Sequence, residues 1–405
     1  MVKIGIVKET KTPIDNRVAL TPNEILDIQQ KYPKVEFLVE RSNIRAYADE
    51  EYEKCGISVV DSLECCDVLF GIKEAKLETL IPNKHYFFFG HIAKEQPYNR
   101  PLIRKMMDLG ITFSDYEYLV DDKGQRLCAF GWWAGVVGAY NTLRAYGLRT
   151  KRFELEKPGV DFTLEKLITN VKEIKSLCDT SIVITGNGKV SHGAQYVMQQ
   201  MFATEMTPEE FLARGNVSEL VYTVLKAENL VKHKDGLEYN AVDFKKNGQN
   251  YVSQFQQYAY STEILLSCHY WGVDQPIYLD EELLKDKNFS IKIVGDVTCD
   301  IKGSILSTIR SSTHDEPFYD FNPQTMQEEE AFSNENNISV MAIDTCPNAL
   351  ALDTSAYFGQ KLMEHVFPLI IEGKYDHPIL KRATILKNGK LTEKYLYLKK
   401  YAGLI

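Results

Sequence analysis

The sequence lacks any hydrophobic run long enough to cross a bilayer, and it has no low-complexity segment and no internal repeat. The longest weakly polar stretch, residues 129–140, is shorter than the roughly 20 residues that a spanning helix needs. Only four consecutive apolar or glycine residues, 4–7, precede the charged segment near the amino terminus. No secretory signal is predicted, and we expect a cytoplasmic protein with no membrane partner.

Paired metal-ligating cysteines and an excess of positive charge are also missing. The eight cysteines form no C-x-x-C pair and no Cys/His spacing typical of a metal site, so we expect reduced thiols and no bound metal. Lys and Arg number 47 against 56 Asp and Glu, a net charge of −9. Such a chain is a poor candidate for nucleic-acid binding, and an anion must bind in a local basic pocket.

Strands and helices alternate along the 405 residues, which predicts an α/β protein with two Rossmann-like, doubly wound parallel-sheet domains separated by a cleft. A helix is predicted to begin at the capping box that Thr21 and Glu24 form around Pro22. Predicted strands occupy residues 3–7, 35–39, 57–60, 67–72, 86–89, 181–185, 221–225, 291–294 and 339–343, and further helices occupy 49–55, 100–109, 129–148 and 355–371. The polar stretch 226–257 is not assigned.

A glycine-containing turn follows the predicted strand 181–185, in the order Gly186, Gly188, Ser191, Gly193. Glycines allow the backbone to approach a pyrophosphate, and the following helix start supplies free N–H groups. Because Ser191 replaces the third glycine of the G-x-G-x-x-G pattern, a plain tight turn remains the alternative to a dinucleotide site. The next strand is followed by Lys226 instead of the acid typical of NAD sites, which favours NADP(H), with NAD(H) and a solvent lysine as alternatives.

Two candidate acid/base groups follow neighbouring first-domain strands: Lys73 after 67–72, and His91 after 86–89. Ligands of open α/β sheets bind outside the carboxyl ends of strands, and both side chains can move protons near neutral pH. A solvated lysine and a structural histidine are the alternative interpretations. Cations in nearby loops, Arg17, Lys94 and Arg126, favour a substrate with more than one carboxylate.

A further acidic segment, from Asp296 to Asp300, follows an apolar strand. Its carboxylates are candidates for binding a ribose or a substrate amine, and capping of the following turn is equally compatible. Cys299 and Cys346 are interpreted as packing residues, because no nucleophile pattern accompanies them.

Together these segments resemble the lysine–2-oxoglutarate reductase domain of the bifunctional aminoadipic semialdehyde synthases, a family related to saccharopine dehydrogenase and to alanine dehydrogenase. The resemblance runs nearly end to end, and its most specific segment is Ala129-Phe-Gly-Trp-Trp-Ala-Gly135. The other matching segments are Lys8-Glu-Thr through Arg17-Val-Ala-Leu-Thr-Pro22, Gly71-Ile-Lys73, Phe88-Phe-Gly-His91 with Lys94, Asp115 through Arg126, Thr185 through Ala194, Tyr270-Trp271, Asp296 to Asp300, and Ile343-Asp344 with Pro347.

The resemblance implies a NADPH-dependent reductive condensation of L-lysine with 2-oxoglutarate to saccharopine. It implies an acid/base pair of Lys73 and His91, carboxylate binding by Arg17 and Arg126 assisted by Lys94, binding of the lysine ammonium by Glu117, and a positioning role for Asp300 at the amine or the nicotinamide ribose. Residues 1–128 with 345–405 would form the substrate and catalytic domain, and 129–344 the dinucleotide-binding domain.

Two other functions are compatible with the same residues. One is a NAD-dependent saccharopine dehydrogenase, or an alanine or other amino-acid dehydrogenase, because those relatives share the Arg, Lys and His positions. The other is a nucleotide-binding sensor on the same scaffold, for which loss of Lys73 or His91 would be expected, although both are present. The expected partners are small molecules, and a homo-oligomer is compatible with the sequence.

Overall fold

The computed structural model describes residues 2–174, 177, 179–215 and 218–405. The chain divides into two compact units, unit 1 with residues 1–130 and 351–405, and unit 2 with residues 131–350. The predicted fold class is confirmed, because each unit contains an eight-stranded, mostly parallel sheet.

The described strands are β1 (Lys3–Ile6), β2 (Glu36–Glu40), β3 (Ser58–Val60), β4 (Val68–Phe70), β5 (His85–Phe88), β6 (Thr112–Asp115), β7 (Ser181–Thr185), β8 (Thr204–Met206), β9 (Val221–Leu225), β10 (Val231–His233), β11 (Tyr251–Ser253), β12 (Ile264–Ser267), β13 (Ile293–Asp296), β14 (Phe318–Asn322), β15 (Gln327–Glu329), β16 (Ile338–Met341), β17 (Thr384–Lys387) and β18 (Lys390–Leu391). The described α-helices are α1 (Pro22–Lys31), α2 (Asp49–Lys54), α3 (Arg100–Asp108), α4 (Gly131–Thr150), α5 (Leu164–Lys172), α6 (Lys189–Gln200), α7 (Pro208–Ala213), α8 (Ala227–Leu230), α9 (Ala241–Lys246), α10 (Gln256–Ala259), α11 (Glu281–Leu284), α12 (Ala351–His365), α13 (Phe367–Ile371), α14 (Pro378–Ala383) and α15 (Lys399–Ala402). None of these helices is both long and apolar enough to span a membrane.

The sheet of unit 1 has the strand order β3-β2-β1-β4-β5-β6, extended by β17 and β18. The first six strands are parallel, and β17 and β18 add antiparallel pairs at one side. Both faces of the sheet are covered: Val68 and Phe70 pack into one apolar cluster and Leu69, between them, packs into another. Covered faces are typical of doubly wound sheets.

The sheet of unit 2 has the order β8-β9-β7-β12-β13-β16-β14-β15. Six neighbouring strands of this sheet are parallel, namely β8, β9, β7, β12, β13 and β16, and β14 and β15 are added antiparallel. The chain changes direction across the sheet between β7 and β12, and such switch points are where open α/β sheets bind ligands.

Helix boundaries follow the predicted signals with one exception. The Glu24 carboxylate accepts the Thr21 backbone N–H at 3.0 Å and also its hydroxyl, which confirms the capping box at the start of α1. The single helix predicted over residues 355–371 is wrong: α12 begins at Ala351 and ends at His365, and α13 restarts at Phe367. Pro368 explains the break, because proline lacks the N–H that would continue α12 and its ring clashes with the preceding turn.

Candidate active site

The predicted acid/base residues lie at the carboxyl edge of the unit 1 sheet. Lys73 lies three residues beyond β4 and His91 three residues beyond β5, and these strands are parallel neighbours. Glu117 follows β6, the next strand in the sheet. Three adjacent strands therefore bring Lys73, His91 and Glu117 to one edge of the sheet.

The backbone before and at Lys73 is held by an acidic side chain that follows the neighbouring strand. Glu9, which follows β1, accepts the N–H of Ile72 at 2.6 Å and that of Lys73 at 2.9 Å. Burial, together with the charge of Asp15, raises the pKa of Glu9 to about 8. The β1–β4 boundary is the switch point of this sheet, so Glu9 orients the Lys73 segment where a ligand is expected.

His91 is fixed by an acidic neighbour that the sequence analysis did not assign. Its backbone has a left-handed conformation, with φ of +50°, and its Nδ1 lies 3.3 Å from Oε1 of Glu74. Lys11 Nζ also lies 3.0 and 2.9 Å from the two oxygens of Glu74. Burial raises the pKa of Glu74, but the hydrogen bonds of His91 and Lys11 outweigh this effect and bring it to about 2. Glu74 is therefore a carboxylate that orients the His91 ring.

Glu117 brings two of the predicted cations together. Its Oε1 lies 2.8 Å from Lys94 Nζ and 2.5 Å from Arg126 Nη2. Burial raises the pKa of Glu117, but the hydrogen bond of Lys94 and the charge of Arg126 outweigh this effect, so its pKa is lowered. The second oxygen, Oε2, is buried and has no hydrogen-bond partner among the residues that the structure describes. One oxygen of this carboxylate is thus available to a further donor.

Asp115 connects the loops that carry His91 and Glu117. Its carboxylate accepts the backbone N–H of Gly90 at 3.2 Å and that of Glu117 at 2.9 Å. Burial raises the pKa of Asp115 to about 7. Because each accepted N–H adjoins or belongs to a site residue, Asp115 holds the two loops in a fixed relation.

Arg17 is buried and engaged within unit 1. Its Nε and Nη2 donate to the two oxygens of Asp15 at 2.9 and 2.6 Å, and its guanidinium lies 4.3 Å from the centroid of the Phe130 ring. Burial raises the pKa of Asp15, but the charge and hydrogen bonds of Arg17 outweigh burial, so its pKa is lowered. The structure thus brings Arg126 and Lys94 together at Glu117 and gives Arg17 a separate acidic partner.

The first two glycines of the turn in unit 2 have different surroundings. Gly186 has φ of +88°, and a Cβ atom there would lie 2.8 Å from the Cys268 carbonyl oxygen and from the His269 Cα atom. These atoms belong to the segment after β12, across the switch point. Gly188 is the residue immediately before α6, and a Cβ atom there would meet nothing within 4 Å. Gly186 is needed for the turn itself, whereas Gly188 leaves open space at the helix start, as pyrophosphate binding requires.

Ser191 and Gly193 lie inside α6 and are buried by the packing of this helix. Ser191 is buried and its hydroxyl accepts Gln195 Nε2 at 2.9 Å. A Cβ atom at Gly193 would lie 2.0 Å from the Trp132 carbonyl oxygen, and one at Gly135 would lie 1.8 Å from the Val190 carbonyl oxygen. These two glycines allow α4 and α6 to cross in backbone contact, so Gly193 supports the glycine turn by packing.

The other two predicted cofactor residues extend from strands on either side of β7 and β12. Lys226 follows β9, whose Leu225 carbonyl oxygen accepts the Gly186 N–H at 2.8 Å. The Lys226 side chain is exposed, with its Nζ 4.0 Å from Glu228. Asp300 is half-buried beyond β13, and its carbonyl oxygen accepts the Gly303 N–H. The buried acid in this segment is Asp296, which accepts both the N–H and hydroxyl of Thr298 and therefore caps the turn.

Cys299 and Cys346 are packed, as the sequence indicates. Their sulfurs lie 3.2 Å and 3.1 Å from the carbonyl oxygens of Ala342 and Ile343. Burial raises the pKa of both thiols. No group of three or more His, Cys, Asp or Glu arranged to hold a metal ion occurs in the described part of the chain.

His269 is a buried histidine beneath the glycine turn, and sequence reasoning did not identify it. Its Nδ1 lies 2.7 Å from the Thr185 hydroxyl and its Nε2 lies 2.7 Å from the Ser304 hydroxyl. Burial lowers the pKa of His269 to about 3. The neutral ring therefore ties the end of β7 to the segment after β13.

This lowered pKa predicts an acid-dependent loss of stability. Below about pH 6.5, His269 binds a proton in the unfolded chain but not in the folded protein. The free energy of unfolding therefore falls by about 1.4 kcal/mol per pH unit as the pH decreases from about 6.5 toward 3. We expect His269→Gln to be less stable than the unaltered protein at pH 7, with the difference shrinking by about 2 kcal/mol at pH 5. Thermal unfolding at both pH values measures it, with His365→Gln on α12 as control. An unchanged difference contradicts the prediction.

The residues that sequence reasoning missed are acids and one histidine whose roles depend on contacts between strands. Glu74 is adjacent to Lys73 in the sequence, which was the one available signal. Glu9, Asp15 and Asp115 follow or end strands like many structural acids, and nothing in their spacing distinguishes them. The partners of Glu9 and Asp115 become identifiable only when the parallel strands are assembled.

Comparison with known proteins agrees with this architecture. Residues 5–137 match the family described as alanine dehydrogenase/PNT, N-terminal domain. The alpha-aminoadipic semialdehyde synthase of Arabidopsis thaliana is 30% identical over 437 aligned positions, covering 98% of this chain and 41% of that protein. The saccharopine dehydrogenase [NAD(+), L-lysine-forming] of Neurospora crassa is 26% identical, covering 95% of both chains. A solved L-alanine dehydrogenase aligns with a TM-score of 0.65 at 15% identity over 99% of both chains and shows the shared fold.

The two doubly wound units have the fold of the solved L-alanine dehydrogenase, and the similar curated proteins are named as saccharopine dehydrogenases and aminoadipic semialdehyde synthases. Over nearly its full length the chain is similar to aminoadipic semialdehyde synthases and to saccharopine dehydrogenases, which confirms the resemblance drawn from its motifs. The chain spans less than half the length of the semialdehyde synthases that it matches.

Proposed function

We propose that this protein is a lysine–2-oxoglutarate reductase that uses NADPH to form saccharopine. Unit 1 binds the two substrates at the carboxyl edge of its sheet, and unit 2 binds the dinucleotide at the glycine turn. The names of the matched relatives support this substrate class, since they include L-lysine-forming saccharopine dehydrogenases and aminoadipic semialdehyde synthases.

The reaction consumes lysine, 2-oxoglutarate, NADPH and a proton, and it releases saccharopine, NADP⁺ and water. The side-chain ammonium of lysine first loses a proton, and the free amine attacks the keto carbon of 2-oxoglutarate. Protonation of the resulting hydroxyl group expels water and leaves a carbon–nitrogen double bond. The cofactor supplies the hydride that reduces this bond, so the protein's contribution is orientation, charge and proton transfer.

Lys73 and His91 are the acid/base pair in this proposal. One accepts the ammonium proton, and the other protonates the hydroxyl group that leaves as water. Glu74 holds the His91 ring by its Nδ1, which leaves Nε2 to face substrate. Glu9 fixes the backbone at Lys73, so both groups are oriented before substrate arrives.

The observation that carries the proposal is the orphaned oxygen of Glu117. Its Oε1 is shared by Lys94 and Arg126, whereas its Oε2 is buried without a hydrogen-bond partner in the described residues. A buried unsatisfied carboxylate oxygen is costly, and a lysine ammonium would satisfy it. Lys94 and Arg126 then lie where they can bind a carboxylate of either substrate, with Arg17 as a further cation, so the site suits molecules that carry both charges.

Dinucleotide binding in this proposal uses Gly186 and Gly188 for close backbone approach, with Ser191 and Gly193 supporting α6. Asp300 positions the amine or the nicotinamide ribose. Lys226 lies where the chain leaves the strand next to β7, the position at which dinucleotide folds contact the ribose 2′ substituent. Its positive charge favours the 2′-phosphate of NADPH.

Omission of each substrate in turn tests the function. We expect NADPH oxidation, followed at 340 nm, only when lysine and 2-oxoglutarate are both present, with saccharopine identified as the product by mass spectrometry. Glu117→Gln should raise the KM for lysine more than the KM for 2-oxoglutarate, because it removes the charge that faces the ammonium. Activity with pyruvate and ammonia that does not depend on lysine would instead identify an alanine-type dehydrogenase. Dinucleotide binding without turnover on any of these substrates would identify a sensor.

The cofactor preference gives a separate prediction at Lys226. Replacement by alanine removes the cation expected beside the 2′-phosphate and should raise the KM for NADPH by about tenfold, the effect of one charge-assisted contact. The KM for NADH should stay within about twofold, since NADH lacks that phosphate. Lys232→Ala, an exposed lysine on β10, is the matched control. Equal effects on both cofactors would rule out phosphate recognition by Lys226.

A further inference from the structure

A cavity lies in unit 1 at the amino ends of β4, β5 and β6, the edge of the sheet opposite to Lys73 and His91. Its volume is about 590 Å³, within the usual size range of small-molecule sites. Val68, His85 and Thr112, the first residues of the three strands, line it together with α14 and the start of β17. None of the proposed catalytic or substrate-binding residues lines this cavity.

A chain of hydroxyl groups fixes the protonation of His85. The Thr384 hydroxyl donates to the Leu380 carbonyl oxygen at 2.7 Å, so it accepts the Ser114 hydroxyl at 2.9 Å. Because the single Ser114 proton is then used, its oxygen accepts from Nε2 of His85, 2.9 Å away. The Nδ1 atom of the neutral ring is therefore a hydrogen-bond acceptor, and in the described part of the chain it has no hydrogen-bond donor.

The surroundings of His85 are mainly apolar and keep its ring neutral. Burial lowers its pKa to about 3. Its ring stacks on Phe87 at 4.5 Å between centroids, and Tyr375 lies 5.8 Å from it at the cavity wall. Val68 and Leu380 form an aliphatic part of the cavity wall. An aromatic ring packs favourably against such surfaces.

The charges at the rim are balanced. Three acids and three lysines line the cavity, and two of the lysines are engaged, with Lys381 lying 3.9 Å from Asp376 and Lys394 donating to the Arg382 carbonyl oxygen at 3.0 Å. A strongly charged ligand would gain little from a rim of zero net charge. The rim charges are Asp67, Asp376, Glu393, Lys381, Lys387 and Lys394.

We propose that this cavity is a binding site for a small, planar aromatic molecule without net charge that carries a ring N–H donor. The N–H donates to Nδ1 of His85, and the ring packs between Tyr375 and the aliphatic wall. The proposal is independent of the reaction assigned to the opposite edge of the sheet.

Indole and benzofuran provide a matched pair of probes, because benzofuran has the same shape with an oxygen in place of the N–H group. Calorimetric titration of the full chain should show indole binding about tenfold more tightly than benzofuran, the effect of leaving one buried acceptor unsatisfied. His85→Phe keeps a ring but removes the acceptor, so it should abolish that difference, whereas His365→Phe on α12 should preserve it. Thermal unfolding of each variant verifies folding.

Tyr375→Ala provides a second test that does not disturb the buried hydroxyl chain, since Tyr375 is exposed on the rim. It should weaken both probes by a similar factor. The site assignment is overturned if wild-type protein binds neither probe, if indole and benzofuran bind equally, or if saturating 2-oxoglutarate and lysine displace indole. The last outcome would place indole in the proposed catalytic site, and none of the three bears on whether saccharopine is formed.

Discussion

Lys73→Met and His91→Gln are each expected to lower kcat by about 10²–10⁴-fold, the contribution of a positioned acid or base. Both residues extend from neighbouring parallel strands, and each is held by an acidic side chain, Glu9 at the backbone of Lys73 and Glu74 at His91 Nδ1. Because the two groups act as one acid/base pair in a single reaction, the double variant should lose little more than the worse single variant. Steady-state rates with saturating lysine, 2-oxoglutarate and NADPH measure these losses.

Matched controls separate chemistry from stability in this experiment. Lys76→Met makes the same substitution at an exposed lysine three residues beyond Lys73, and His365→Gln does so at a histidine of α12. Both should retain nearly full turnover. Unchanged kcat in Lys73→Met or His91→Gln, with product still identified as saccharopine, would remove that residue from the acid/base pair.

The glycines at the start of α6 are expected to divide into two kinds. Gly193→Ala places a methyl group 2.0 Å from the Trp132 carbonyl oxygen and 2.9 Å from the Val136 nitrogen, both of them backbone atoms of α4. The helices must separate to admit it, so we expect a loss of about 3 kcal/mol, the upper part of the usual range for overpacking. The melting temperature of unit 2 should fall by about 6–12 °C.

Gly188→Ala is the matched comparison, because its added methyl group meets no atom within 4 Å and its φ of −103° suits any residue. We expect the melting temperature to change by less than about 2 °C, while the dissociation constant for NADPH rises by about tenfold through the lost backbone approach. Thermal unfolding and fluorescence titration with NADPH measure the two quantities. A reversed pattern, with Gly188→Ala unstable and Gly193→Ala unaffected, would contradict this division of roles.

Local signals in the sequence were sufficient for several elements. The capping box at Thr21 begins α1, Gly56 follows α2, and the apolar run 181–185 is β7. These features depend on residues close together in the chain, where backbone geometry and side-chain type act directly. The helix predicted over 355–371 failed because its apolar spacing continues through Pro368, and the missing N–H of proline ends α12 despite that spacing.

Local signals in the sequence did not predict which cations and acids pair in the candidate site. Arg17, Lys94 and Arg126 were predicted as carboxylate-binding cations from their type and position alone. The structure pairs Arg17 with Asp15 and joins the other two at Glu117. The Lys94–Glu117 pair depends on the assembly of β5 beside β6, which brings side chains from two different loops within 3 Å of each other.

The sequence by itself determined the α/β class, the alternation that produces two doubly wound sheets, and the strand ends that carry Lys73, His91 and the glycine turn. Hydrophobic periodicity and turn residues specify these features within a few residues of chain. Only the tertiary structure decided that Gly193 packs against α4, that Glu74 orients His91, and that His85 faces a cavity at the far edge of its sheet. Those roles arise from atoms brought into contact by strand order and helix crossing, and no spacing along the chain encodes them.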